Sequence, residues 1–169
     1  MSSVNAKLLA ELNTKDDLVF KLGDTLDVKL SIVLVVITVV GAQTAYFFTK
    51  PVVGIQHTLQ VCSVVFLVLA TIAAIAGLWP RHYWMIEPEG LVENRIKELE
   101  AYYKENGEEV ERHLPQQLEL DQIGWAKTRI ADNRSINNRK AWRLDAAFYA
   151  TSCAIACNIL TLIWFIHPF

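Results

Sequence analysis

The residues best suited to chemistry lie between 127 and 143, where the chain reads KTRIADNRSINNRKAWR, with six cations and three asparagines. Four of the cations, Arg134, Arg139, Lys140 and Arg143, fall in the last ten positions. Guanidinium forks match phosphate oxygens, and an asparagine amide beside them can read a base edge. Arg134, Asn137, Arg139 and Lys140 are therefore candidate phosphate contacts. Two kinds of phosphate are open to them: that of a nucleotide, and those of anionic lipid headgroups.

A second group is defined by position. Asp27 and Lys29 precede one long apolar run, Arg81 follows the next, and Arg143 and Asp145 open a third. In a membrane these five would share one depth, near the inner headgroups. Either the cations snorkel to lipid phosphate, or the carboxylates pair with cations of neighbouring helices in a structural lock.

The elements that must position these residues follow from hydropathy. Over half the residues are apolar although a fifth are charged, so the two kinds are segregated along the chain. Residues 30–48 carry no charge, and as a helix they span about 28 Å, close to a hydrocarbon core. Their valines and isoleucines would suit a strand, but an open strand cannot satisfy its backbone in lipid. Residues 59–79 and 144–166 give two more spans. Tyr46, Phe47, Trp79, Tyr83, Trp84, Trp142, Trp164 and Phe165 mark their ends, as an aromatic belt does. Gln43 and Asn158 are amides within the spans, suited to bonds across helices or to a pore.

Fifteen of the sixteen Lys and Arg lie before residue 30 or between 81 and 143. That asymmetry puts residues 1–29 and 80–143 on the cytoplasmic side of an inner membrane and the tail 167–169 outside. Residues 30–79 form a hairpin of two spans with a short external link. Residues 1–29, with acids among their lysines and no apolar h-region, are not expected to be a secretory or transit leader. In them Val4, Leu8, Leu12, Val19, Leu22 and Leu26 recur at helical steps, with Asn13-Thr14 between as a cap that could break it, predicting an amphipathic helix that either lies at the surface or runs straight into the first span.

In the middle region, Glu87-Pro88-Glu89-Gly90 predicts a turn. Val92, Ile96, Leu99 and Tyr103 then mark a helix closed by Asn106-Gly107. From about Pro115, Leu120, Ile123, Ile130 and later Leu144 mark one face of a long second helix that can continue uninterrupted into the third span. The expectation is an all-α membrane protein with an N-terminal amphipathic helix, three spans and a cytoplasmic helical hairpin.

Little else in the sequence can do chemistry. Seven glycines are too scattered for a phosphate loop. His57, His82, His113 and His167 fall on both sides of the membrane, so they cannot converge on one metal. Cys62, Cys153 and Cys157 sit in apolar stretches without a CxxC. No enzyme, cofactor or metal is expected, and a net charge of −2 argues against DNA or RNA as partner.

Asp27-Val28-Lys29 before the first span, Pro80-Arg81 after the second, and residues 133–140 leading into the third together resemble the Pycsar transmembrane effector family of bacterial anti-phage signalling. The likeness covers nearly the whole chain. It implies an effector that senses a cyclic pyrimidine nucleotide, cUMP or cCMP, on the cytoplasmic side, forms homo-oligomers and disrupts the inner membrane. The alternative is a non-catalytic structural or partner-binding subunit of a membrane complex, docking through the Val92 to Tyr103 face.

Overall fold

The computed structural model describes residues 3–50, 54–79, 83 and 89–166. Four helices follow one another: α1 (Ser3–Phe48), α2 (Ile55–Leu78), α3 (Glu89–Glu105) and α4 (Val110–Ile166). No strand occurs among the described residues. Three helices, α1, α2 and α4, are long and apolar enough to cross a membrane. The fold is therefore the all-α, three-span arrangement that the hydropathy implies.

Three local expectations change. α1 runs unbroken through Asn13-Thr14 for 46 residues, so of the readings left open the helix continues into the first span and the break at Asn13-Thr14 is absent. Thr14 caps nothing; its hydroxyl donates to the Ala10 carbonyl at 3.0 Å, one turn back in the same helix. α4 begins at Val110, one turn before Pro115, which is accommodated in its second turn. Leu120 faces outward, 55% exposed. The predicted turn at residues 87–90 lies mostly outside the described residues, and Glu89 already belongs to α3.

The chain divides into two compact units. The first comprises residues 1–22 and 81–136. Its core sets Leu12 and Val19 of α1 against Ile123, Ala126 and Ile130 of α4, with Leu8 and Leu9 beside them. α3 turns Val92, Ile96, Leu99 and Tyr103 inward, the last two buried. Glycine is required where α3 ends. Gly107 has φ 68°, which lets Glu108 N–H reach the Tyr103 carbonyl at 2.9 Å and Gly107 N–H the Lys104 carbonyl at 3.3 Å.

The second unit comprises residues 23–80 and 137–169. Its buried positions step by three and four. In α2 they are Gln60, Ser63, Leu67, Ala70, Ala74 and Gly77. In α1 they include Leu30, Ile37, Val40, Thr44 and Phe47; in α4, Ala147, Thr151, Ala154, Asn158 and Thr161. A 3.5-residue repeat keeps one stripe of each helix on a common seam. Alanines at 70, 74, 147 and 154 let the backbones approach. At Gly77 a Cβ would lie 2.8 Å from Leu30 Cδ1, so the absence of a side chain is what seats Leu30.

α1 and α4 run parallel. Their hydrogen-bonded partners are offset by 114 and 113 residues in the first unit (Asn5–Glu119, Asp16–Arg129). In the second the offsets are 113 and 114 (Asp27–Lys140, Thr44–Asn158).

Candidate functional site

The basic run divides according to the phase of α4. Ile130, Asn133, Asn137 and Lys140 are all buried, at steps of three, four and three along the helix. Arg134 and Arg139 fall between those steps and are exposed. The four candidate phosphate contacts therefore do not converge: Arg134 and Arg139 point away from the core, while Asn137 and Lys140 point into it.

In the second unit Lys140 is held by a carboxylate. Its Nζ donates to both oxygens of Asp27, each at 2.7 Å. The Lys140 side chain is only 4% exposed and that of Asp27 39%. A lysine so enclosed keeps its charge only with an anion beside it, because desolvation alone would cost several kcal/mol. Asp27 thus pairs with a cation of a neighbouring helix, Lys140, which the sequence placed among the phosphate contacts and not in the ion-pairing set; Lys29, on Asp27's own helix, is exposed.

Arg143 takes another role, donating from its guanidinium to the Ala76 carbonyl in the last turn of α2. The final carbonyls of a helix have no partner within it and carry the negative end of its dipole. α2 has no basic residue in its own last turn, so α4 supplies the cation. Asp145 is exposed and makes no ion pair among the described residues. Arg81 lies outside them.

Of the two amides read within the spans, Gln43 is exposed and Asn158 is 2% exposed. The Asn158 amide donates to Thr44 Oγ1 at 2.9 Å. Thr44 Oγ1 lies 3.2 Å from Ser63 Oγ, and Ser63 reaches the Ala154 carbonyl at 3.3 Å. One polar cluster thus ties all three spans together. Nearby, Gln60 donates to the Phe47 carbonyl at 3.2 Å. Serine and threonine gave no distinctive pattern in the sequence; their seam positions emerge only from the three-four spacing.

The first unit holds a group that sequence reasoning missed. Arg129 Nε donates to Asp16 Oδ2 at 2.7 Å, with the two side chains 7% and 20% exposed. They lie on a cleft of about 390 Å³ lined by residues of α1, α3 and α4, including Asn13, Val92 and Gln122. Asp16 Oδ1 and Glu119 Oε1 are buried without a hydrogen-bond partner. On the other side of α3, Arg95 bonds Asp121 at 2.8 Å and Glu98 at 3.2 Å. Those two bonds, Asp121 first, raise the Arg95 pKa above its ordinary value. Among the described residues, no group of three His, Cys, Asp or Glu could hold a metal ion.

No curated protein and no solved structure matches the chain. The family model described as the Pycsar effector protein domain matches residues 17–167. That match takes in the apolar runs of all three spans and the Asp27–Lys140 pair, and it begins one residue after Asp16. This three-span membrane protein therefore belongs to the Pycsar effector protein domain family, a membership that supports a role in anti-phage defence.

Proposed function

We propose that the chain is a nucleotide-gated, non-catalytic membrane effector. It senses a cyclic pyrimidine mononucleotide, cUMP or cCMP, on the cytoplasmic side, assembles with further copies of itself and breaks the integrity of the inner membrane. Its N-terminus is cytoplasmic and its C-terminus external, as the Lys and Arg asymmetry requires.

The polar seam within the spans carries this reading. Thr44, Gln60, Ser63, Thr151, Asn158 and Thr161 are all buried there. A plain anchor could fill such positions with leucine and alanine, since polar groups in hydrocarbon are costly unless paired. Here several of the pairs join different helices, so sliding one span past another trades protein partners for water. The same groups that hold the resting unit together can then line a wet path. Only 22% of the apolar window of α1, and 28% of those of α2 and α4, is buried. Most of each span is left for lipid and for further copies.

A nucleotide can drive this change only if it binds the resting and open assemblies with different affinity. The partner-subunit alternative loses its motivating feature. The Val92 to Tyr103 face is turned inward, with Leu99 and Tyr103 buried in the chain's own first unit.

The test is made in cells. The chain is co-expressed with an active pyrimidine nucleotide cyclase or with its inactive mutant, and membrane potential is followed with a voltage-sensitive dye. Depolarisation that requires the active cyclase supports gating. An unchanged potential, with the chain shown to be inserted, would remove membrane disruption from the account.

A further inference from the structure

We infer that copies of the chain meet head to tail in the membrane, with Lys29 on α1 of one copy paired to Asp145 on α4 of the next. The inference rests on the self-assembly proposed above and says which two faces make it. All the residues concerned belong to the second unit.

The carboxylate is the group that demands a partner. Asp145 lies at the head of the third span, and Trp142, Phe148 and Tyr149 around it are all largely exposed, so it sits on an aromatic, outward face. Its own side chain is exposed and makes no hydrogen bond or ion pair among the described residues. A charge at the edge of hydrocarbon is costly when unpaired. Lysine and arginine escape that cost by extending to lipid phosphate. Aspartate has only one methylene of reach, and the leaflet surface beside it is negative, so lipid offers it little.

The complementary cation is at hand. Lys29 is also exposed, and its side chain has no partner among the described residues. Depth brings the two together. In this unit α1 and α4 run parallel with offsets of 113 at Asp27–Lys140 and 114 at Thr44–Asn158, which puts Asp145 level with residues 31–32. Lys29 is two or three residues nearer the cytoplasm, about 3–4.5 Å along the axis. The Asp145 side chain leans that way, because helical Cβ atoms tilt toward the N-terminus. The four-carbon stem of the lysine covers the remainder. Copies related by an axis along the membrane normal keep equal depth, so a match of level within one copy holds between two.

The faces continue the match deeper in the membrane. Stepping outward along α1 by three and four, Lys29 leads through Ile32, Val36 and Val39 to Gln43, all exposed. Outward positions of α4 below Asp145 include Ser152 and Ala156, also exposed. A 3.5-residue repeat keeps such a stripe against a neighbouring helix over several turns. Gln43 is a span amide whose side chain makes no hydrogen bond among the described residues. By the same offset it is level with residues 156–157, and it leans toward Ser152. The Ser152 hydroxyl donates to the Phe148 carbonyl at 2.9 Å, which leaves its oxygen as an acceptor for the Gln43 amide of the neighbour. The small side chains at 152 and 156 let the neighbour's α1 approach closely. Because the α1 face and the α4 face differ, the contact is heterologous, and it builds a ring where the rotation closes.

The experiment measures association of the full-length chain in lipid vesicles by energy transfer between donor- and acceptor-labelled copies. Protein-to-lipid ratio is varied, with and without cUMP or cCMP. The variants are Lys29→Asp, Asp145→Lys and the two combined. Each single reversal sets like charges against each other and weakens association at least about tenfold. The combined exchange restores it to within about threefold of wild type. A second measurement leaves most copies' charges in place. With Cys62, Cys153 and Cys157 changed to Ala, copies carrying Lys29→Cys are mixed with copies carrying Asp145→Cys and treated with a short bismaleimide. The mixed pair crosslinks, and neither variant crosslinks with itself. Association that is indifferent to the reversals, singles that the combined exchange does not rescue, or crosslinks only between like variants overturn this interface and leave self-assembly intact. A folded, inserted wild type that stays monomeric under every condition overturns self-assembly as well.

Discussion

Removing either partner of the Asp27–Lys140 pair should destabilise the protein, and by unequal amounts. Lys140 is 4% exposed and Asp27 39%, so the orphan left behind differs. Asp27→Ala leaves an ammonium enclosed by protein. Breaking a buried pair in this way costs about 3–5 kcal/mol, and we expect about 3 because the pair is open to water on the aspartate side. Lys140→Met leaves a carboxylate that water already reaches, with an apolar chain filling the lysine's volume. That loss should be about 1 kcal/mol, the range of exposed pairs. The double variant should fall well short of the sum, since it leaves no orphaned charge.

Thermal unfolding in detergent, followed by intrinsic fluorescence, measures all four proteins. With about 2–4 °C per kcal/mol for a chain of this size, Asp27→Ala should drop the midpoint by roughly 6–12 °C and Lys140→Met by roughly 2–4 °C. Equal losses, or a double variant equal to the sum of the singles, would refute the reasoning that burial of the ammonium decides the cost.

Other outcomes follow from particular residues. Gly77→Ala places a methyl 2.8 Å from Leu30 Cδ1 and should cost about 1–3 kcal/mol, partly recovered by adding Leu30→Val; thermal unfolding reads both. Asn158→Leu removes the cross-span bond to Thr44 and should cost about 1 kcal/mol in the same assay, as such bonds do in membranes. Arg134→Ala with Arg139→Ala should leave the midpoint within about 2 °C, because both side chains are exposed. It should weaken association of the cytoplasmic face with anionic lipid, by about 1 kcal/mol per charge, measured as a shift in salt sensitivity. Alkaline phosphatase fused after Ile166 should be active and the same enzyme fused before Ser3 inactive; the reverse pattern contradicts the orientation.

Much of the fold is legible in composition because hydrocarbon admits few backbone solutions. Charge-free runs mark the spans, and Asn106-Gly107 marks the end of α3, where φ must be positive. The continuity of α1 is less legible. Asn13-Thr14 carries the chemistry of a cap, and only tertiary packing of Leu12 and Val19 on α4 overrides it.

The candidate site is harder to read, because a cluster of charges in the sequence carries no sign of which face of the helix each residue occupies. Continuing from Ile130 by three, four and three reaches Asn133, Asn137 and Lys140, so the inward cations and amides were in principle distinguishable from Arg134 and Arg139. What no local pattern supplies is the partner. Asp16 and Arg129 lie 113 residues apart, as do Asp27 and Lys140. Those equal offsets acquire meaning only once α1 and α4 are known to run parallel.

The central claim is that a cyclic pyrimidine nucleotide opens a path through the membrane. Release of a small dye from liposomes carrying the purified protein, with and without cUMP or cCMP added to the face bearing the cytoplasmic helices, tests it most directly. Little release is expected without nucleotide, and rapid release with one of the two. Equal release with and without nucleotide, or none under any condition from protein shown to be folded and inserted, would contradict it.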